Sequence, residues 1–162
     1  MASNNEWDQL KKVIVGTADH ACIPDPNISV LKTIFPEHEE TYIKQHYGVF
    51  PKQIIEEQNE DLNILATTLE ECGAEVFRPN TEHALKYTYS PTWQAFNWHY
   101  HCPRDITLVV GNTIIETPSP IWNRQFETWA YRYVFEELWQ NGYNWIKAPV
   151  PMLKAHNYKT ET

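Results

Sequence analysis

Pro103-Arg104-Asp105-Ile106-Thr107-Leu108-Val109-Val110-Gly111-Asn112-Thr113-Ile114-Ile115-Glu116 reads as a β-hairpin. An apolar strand from Ile106 to Val110 meets a two-residue Gly111-Asn112 turn, and a second strand runs from Thr113 to Thr117. Glycine takes positive φ without steric cost and Asn tolerates it, as a tight hairpin turn requires. The first strand is apolar at nearly every position, which predicts burial of both its faces. Arg104 and Asp105 stand where that strand begins. A carboxylate at the mouth of a buried strand is costly unless a cation pairs with it. That cation is either a neighbouring side chain (Arg104, Arg124 or Arg132) or a ligand guanidinium gripped by two parallel hydrogen bonds.

Before the hairpin, Lys11 to Thr17 forms the first strand, with Val13, Ile14 and Val15 apolar and Gly16 closing it. Ala18 to Phe50, interrupted by Pro24, Pro26 and Pro36, is either a functional, lid-like loop or holds short helices around Ser29 to Ile34 and Glu39 to His46. Pro51, at the first helical position, opens a strong helix. Its apolar stripe is Ile54, Leu62, Leu65 and Leu69, interrupted by Gln58, and Gly73 caps it. Ala74 to Arg78 is a short strand stopped by Pro79, and Asn80 to Cys102 is irregular and aromatic. After the hairpin a second helix runs from about Asn123 to Gln140, with Phe126, Ala130, Val134 and Leu138 on one stripe. Gly142 ends it, Asn144 to Lys147 is a last strand stopped by Pro149, and the polar tail from His156 to Thr162 is expected to fray.

These elements repeat. Gly142 falls 69 residues after Gly73, and Pro149 falls 70 after Pro79. A strand, helix and strand recurring at one interval predicts an α/β architecture of modules packed side by side. Two such units leave flanks uncovered, so the chain is expected to self-associate.

With 13 basic against 21 acidic residues the net charge is −8, which disfavours nucleic acid as a partner. No stretch approaches ~18 consecutive apolar residues, so no membrane span is expected. The first residues carry neither a basic nor an apolar leader region, and three scattered cysteines do not form a disulfide framework, so a cytoplasmic protein is expected. Seven Trp, nine Tyr and six Phe exceed what a core this size needs and favour interfaces.

Five glycines cannot supply a phosphate cradle. His99, His101 and Cys102, with His20 and Cys22 as partners, have zinc-ligand chemistry, but their spacing is not that of a closed site and an ordinary half-buried cluster explains them. Cys22 and Cys102 have histidines one or two residues away, whereas Cys72 sits at a helix C-terminus, where the dipole opposes a thiolate. A structural role is expected for all three.

A set of collinear motifs covers about residues 4 to 150: Asn5-Glu6-Trp7-Asp8, Val13-Ile14-Val15-Gly16, Ala21-Cys22-Ile23-Pro24, Cys102-Pro103-Arg104-Asp105, Val109-Val110-Gly111-Asn112, Ile114-Ile115-Glu116 and Ala130-Tyr131-Arg132. In these the chain resembles the N-terminal part of the arginine:glycine amidinotransferases, a family that includes the inosamine-phosphate amidinotransferases. The resemblance implies a pentein-type α/β propeller of ββαβ modules. This chain would be a single domain over 1–162 supplying about two of five modules, one over about 5–80 and one over about 100–150. It also implies that Asp105, with Arg104 beside it, matches the arginine-binding aspartate of the Pro-Arg-Asp motif, and that no cofactor is needed. The family's nucleophilic Cys, its His and its acidic partner lie in later modules, which nothing here resembles. Two readings follow. Either the chain is the N-terminal part of an arginine-dependent amidinotransferase, inactive until a second polypeptide or further modules complete it, or it is a non-catalytic guanidino-compound-binding or protein-interaction module.

Overall fold

The computed structural model describes residues 3–5, 7–37, 39–151 and 154–158. Glu6 of the first motif and tail residues 159–162 lie outside them. Nine strands and four α-helices are placed among the described residues, joined by 3-10 turns. The fold is α/β.

Strand β1 (Lys12–Ile14) pairs in parallel with β4 (Glu75–Phe77), Val13 opposite Val76. The crossover between them contains β2 (Cys22–Ile23), α1 (Ile28–Thr33), α2 (Glu40–His46), β3 (Gly48–Val49) and α3 (Lys52–Glu71). Of the two expectations for residues 18–50, the short helices are the ones present. Asn27 caps α1 through its side chain, which accepts from the Ser29 and Val30 amides. Pro51 precedes the first helical residue of α3 rather than occupying it.

The expected stripe of α3 is corrected. Its inward row is Ile55, Asn59, Leu62, Ala66 and Leu69, all only half-buried, while Ile54 and Leu65 are exposed. Asn59 decides the rotation: its side-chain oxygen accepts from the Ala18 amide at 2.8 Å and the Thr17 hydroxyl at 3.1 Å, so a polar residue holds the inward face. The aromatic segment 80–102, expected to be irregular, contains a hairpin of β5 (Tyr87–Tyr89) and β6 (Gln94–Phe96).

Strands β7 (Thr107–Val110), β8 (Thr113–Glu116) and β9 (Asn144–Lys147) form a sheet in that order, antiparallel across the Gly111-Asn112 turn and parallel between β8 and β9. Burial of β7 on both faces is overturned. Leu108, Val109 and Val110 are 50%, 43% and 55% exposed, because β7 is an edge strand. Ile106, just before it, is buried. The expected helix 123–140 is also corrected. Two 3-10 turns, Trp122–Arg124 and Glu127–Tyr131, precede a short α4 (Arg132–Gln140).

The core gathers Phe77 of β4, Tyr100, Ile106, Ile114 of β8, and Ala130, Tyr131, Val134 and Phe135 on and before α4. Lys12 of β1 reaches Glu75 at 2.7 Å and Glu137 of α4 at 3.2 Å, tying the two parallel strand pairs together at the rim.

Candidate functional site

Asp105 closes a single 3-10 turn, Pro103–Asp105, whose first position suits proline because no N–H is needed there. The turn delivers the chain into buried Ile106, and the Thr117 amide donates to the Ile106 carbonyl at 2.9 Å. This corrects the expectation that Asp105 sits at the mouth of a buried strand. It stands on a turn beside an exposed one, with its side chain 52% exposed.

Its partner is Arg124. Arg124 Nη1 donates to Asp105 Oδ2 at 2.7 Å, the ion pair that the sequence left open among three arginines. Arg104 lies on the same turn and is exposed. The Arg124 side chain is 9% exposed and turns its other donors inward. Nε reaches Glu127 Oε2 at 2.5 Å, Nη2 reaches Glu127 Oε1 at 3.0 Å, and Nη2 lies 3.4 Å from the Cys102 carbonyl. The two-pronged grip on a guanidinium is therefore made internally, by Glu127 on Arg124. Asp105 takes one further donor of the same group.

Several buried polar groups fix Arg124 from below. Asn123 donates to Asp25 at 3.1 Å and to the Phe96 carbonyl at 2.6 Å, and accepts from Asn27 at 2.7 Å. The Trp122 amide donates to Ser29 Oγ at 3.0 Å. On the far side of Glu127, Thr128 donates to Glu116 of β8 at 2.6 Å, and Glu116 also accepts from Trp145 at 3.0 Å. Gly16 sets the spacing to the next layer. A Cβ there would meet the His101 carbonyl oxygen at 2.3 Å, so only glycine lets β1's end pass segment 99–101, where the Thr17 amide bonds the Tyr100 carbonyl.

The electrostatics follow from burial. Burial works against the Arg124 charge, but the hydrogen bonds and charges of Glu127 and Asp105 outweigh it and hold its pKa above the ordinary value. Burial pushes the Glu127 carboxyl up to about 7, against the downward pull of Arg124. His99, 6% exposed, has an Nδ1 that lacks a hydrogen-bond partner and lies 4.0 Å from Glu127 Oε1. Burial, helped by His101 and Arg124, drives its pKa down to about 2, so it is neutral.

The His99 and His101 rings lie with centroids 4.1 Å apart and planes tilted by 42°, on one side as alternation requires. Among the described residues no three His, Cys, Asp or Glu side chains converge as a metal ligand set. Cys22, in the stretch expected to be a loop or short helices, falls on a strand. It begins β2, is buried, and its thiol is pushed up to about 11 by burial, while His20 is exposed. Burial also raises the Cys102 thiol, and Cys72 is exposed at the end of α3. A concavity of about 580 Å³ runs along α3 past Glu56, Glu60 and Asn63, away from the cluster. Neither it nor a smaller one at Arg78 and Tyr133 includes Asp105. Reading the sequence missed Glu127 and Asn123. The available signal was the opposite charges of Arg124 and Glu127 three residues apart in a stretch where polar residues outnumber apolar ones.

No protein-family model matches the chain. It is 36% identical over 155 residues to inosamine-phosphate amidinotransferase 1 of Streptomyces griseus, a match covering 96% of this chain and 45% of that protein. It is 33% identical over 159 residues to the L-arginine:L-lysine amidinotransferase of Pseudomonas savastanoi pv. phaseolicola, covering 98% and 44%. The solved structure of a Streptomyces griseus inosamine-phosphate amidinotransferase superposes with a TM-score of 0.89 at 35% identity, over 96% of this chain and 44% of that one. By sequence and by fold, this chain is similar to the N-terminal part of the amidinotransferases, and it spans under half the length of these relatives.

Proposed function

We propose that the chain is the part of an arginine-dependent amidinotransferase that holds the guanidino compound, with Asp105, flanked by Arg104, as the cation-binding group. The observation that carries this reading is the half-exposed Asp105 carboxylate pinned through one oxygen by a buried arginine.

Transfer of an amidino group from arginine needs a thiolate to attack the guanidinium carbon, a proton donor for the departing amine, and a carboxylate to hold the cation. Asp105 serves the last need. Cys22 and Cys102 have raised pKa values, the wrong direction for a nucleophile, and exposed Cys72 sits at the end of α3. In this proposal the thiolate and its acid/base partners come from modules outside these 162 residues or from a second polypeptide, in a cytoplasmic setting and without a cofactor. The two modules of a pentein-type propeller would be built on the β1–α3–β4 and β7–β8–α4–β9 units. Among the described residues no helix is long and apolar enough to cross a membrane.

A second reading, a non-catalytic binding or protein-interaction module, is favoured by the exposed Leu108-Val109-Val110 edge of β7, which also fits self-association. Calorimetry with arginine on the wild type and on Asp105→Asn tests the first reading. Heat in the wild type that Asp105→Asn loses is expected; equal heats, or none in either, would remove the guanidino-binding assignment.

A further inference from the structure

Glu127 by itself engages two donors of the Arg124 guanidinium. It sits 1% exposed and meets the guanidinium edge with both oxygens. The buried pair is therefore complete without Asp105, yet Arg124 extends a third donor, Nη1, to the Asp105 carboxylate at 2.7 Å. Asp105 needs such a contact more than Arg124 does. It lies on one turn of 3-10 helix, half in solvent, where an aspartate side chain otherwise samples several rotamers. The guanidinium that holds it has little freedom of its own. Its other donors are taken by Glu127 and approach the Cys102 carbonyl three residues before Asp105, and the neighbouring Asn123 is locked by Asp25, Asn27 and the Phe96 carbonyl. A rigid, planar fork anchored on one side to a buried carboxylate fixes the direction of the second carboxylate it touches.

From this arrangement we infer that Arg124 is a positioning residue, which holds the Asp105 carboxylate in a single orientation toward a guanidino ligand, with Glu127 anchoring Arg124. The inference rests on the guanidino-binding reading of Asp105 and adds the residues that aim it. Lysine cannot replace Arg124 here. Its ammonium is a point charge that keeps a bond to Glu127 but cannot bridge both carboxylates in a fixed plane. A ligand then meets a mobile Asp105 and has to order it on binding.

The test separates this role from ligand binding itself. Three-bond couplings from the backbone nitrogen and carbonyl carbon to Asp105 Cγ report the rotamer of that side chain without any ligand. They are measured on the full chain as wild type and as Arg124→Lys, with the Trp and Tyr near-ultraviolet signal confirming intact packing. A single Asp105 rotamer in the wild type and averaged couplings in Arg124→Lys are expected, together with arginine affinity about tenfold weaker in the variant. Unchanged couplings in Arg124→Lys overturn the positioning role even if arginine binds. Averaged couplings with no arginine binding to the wild type would overturn the ligand reading and leave the orientation of Asp105 by Arg124 standing. If Arg124→Lys fails to fold, Glu127→Gln, which loosens the anchor while keeping the arginine, is expected to average the same couplings. Fixed couplings there overturn the inference.

Discussion

The two parallel strand pairs of this molecule carry very different helices. Helix α3, between β1 and β4, is 20 residues long and has no fully buried residue. Helix α4, between β8 and β9, is nine residues long and buries Val134 and Phe135 in the main core. Length and propensity made α3, with Glu and Leu its commonest good helix formers and Pro51 at its entry. Position in the core made α4, after a stretch of 3-10 turns that no helix propensity accounts for. The long helix is therefore the peripheral one, and the short, irregular segment from Ser119 to Tyr131 carries the buried polar network that reaches Asp105 through Arg124. The main core cluster is concentrated in the second unit, and Asp105, the proposed guanidino-binding group, lies on the turn that leads into it.

Cutting into each helix breaks this comparison most sharply. Phe135→Ala is expected to cost about 3–5 kcal/mol, because the ring is 1% exposed and packs against Tyr131 and Trp145. Leu65→Ala, on α3, is expected to cost less than about 1 kcal/mol, since Leu65 is 48% exposed. Urea unfolding of both variants checks the ratio. A Leu65→Ala loss as large as that of Phe135→Ala would mean that α3 carries a share of the stability that its exposure denies.

A further effect, centred on the buried His99 and Glu127, is set by pH. His99 is neutral in the fold with its pKa lowered to about 2 from an ordinary 6.5, so the unfolded chain binds the extra proton. Its contribution is fully present above pH 6.5 and is lost as pH falls toward 2, at up to about 1.4 kcal/mol per pH unit. Glu127 acts in the opposite sense. Raised from 4.5 to about 7, it contributes stability present below 4.5 and lost as pH rises through 7. Between pH 4.5 and 6.5 the two oppose one another, and below 4.5 His99 acts without that offset. His99→Gln is expected to flatten the decline of stability with acid below pH 4.5. An unchanged slope in urea unfolding at pH 3 to 4.5 would show that His99 is not the proton acceptor.

How much of this could be read beforehand follows from which forces are local. Helix α3 ends just before Gly73 and α4 just before Gly142, and both flanking strand pairs are parallel, so the strand–helix–strand repeat was legible from turn chemistry alone. The Asp105–Arg124 pair was among the stated alternatives, because an aspartate and three nearby arginines leave few choices. Exposure of β7 was not legible. An apolar run says that a strand prefers burial, but its neighbours decide whether burial is available. The rotation of α3 was missed because Asn59, a polar residue, faces inward to serve the backbone at Ala18. The site's buried half was missed for a related reason. Asn123, Arg124, Gln125, Glu127 and Thr128 look like a solvated face, and their mutual hydrogen bonds together with those to Asp25, Asn27, the Phe96 carbonyl, Asp105, Glu116 and the Ser119 carbonyl make burial affordable.

In the proposed function these residues hold the guanidino compound and leave the chemistry to another part. Incubating the purified chain with arginine and glycine, and assaying ornithine and guanidinoacetate, tests it most directly. No turnover is expected from the chain alone, and turnover is expected only when a polypeptide carrying the missing thiolate and its acid/base partners is added. Turnover by the chain alone that is abolished by Cys102→Ser or Cys22→Ser would contradict the account and make one of those cysteines the nucleophile.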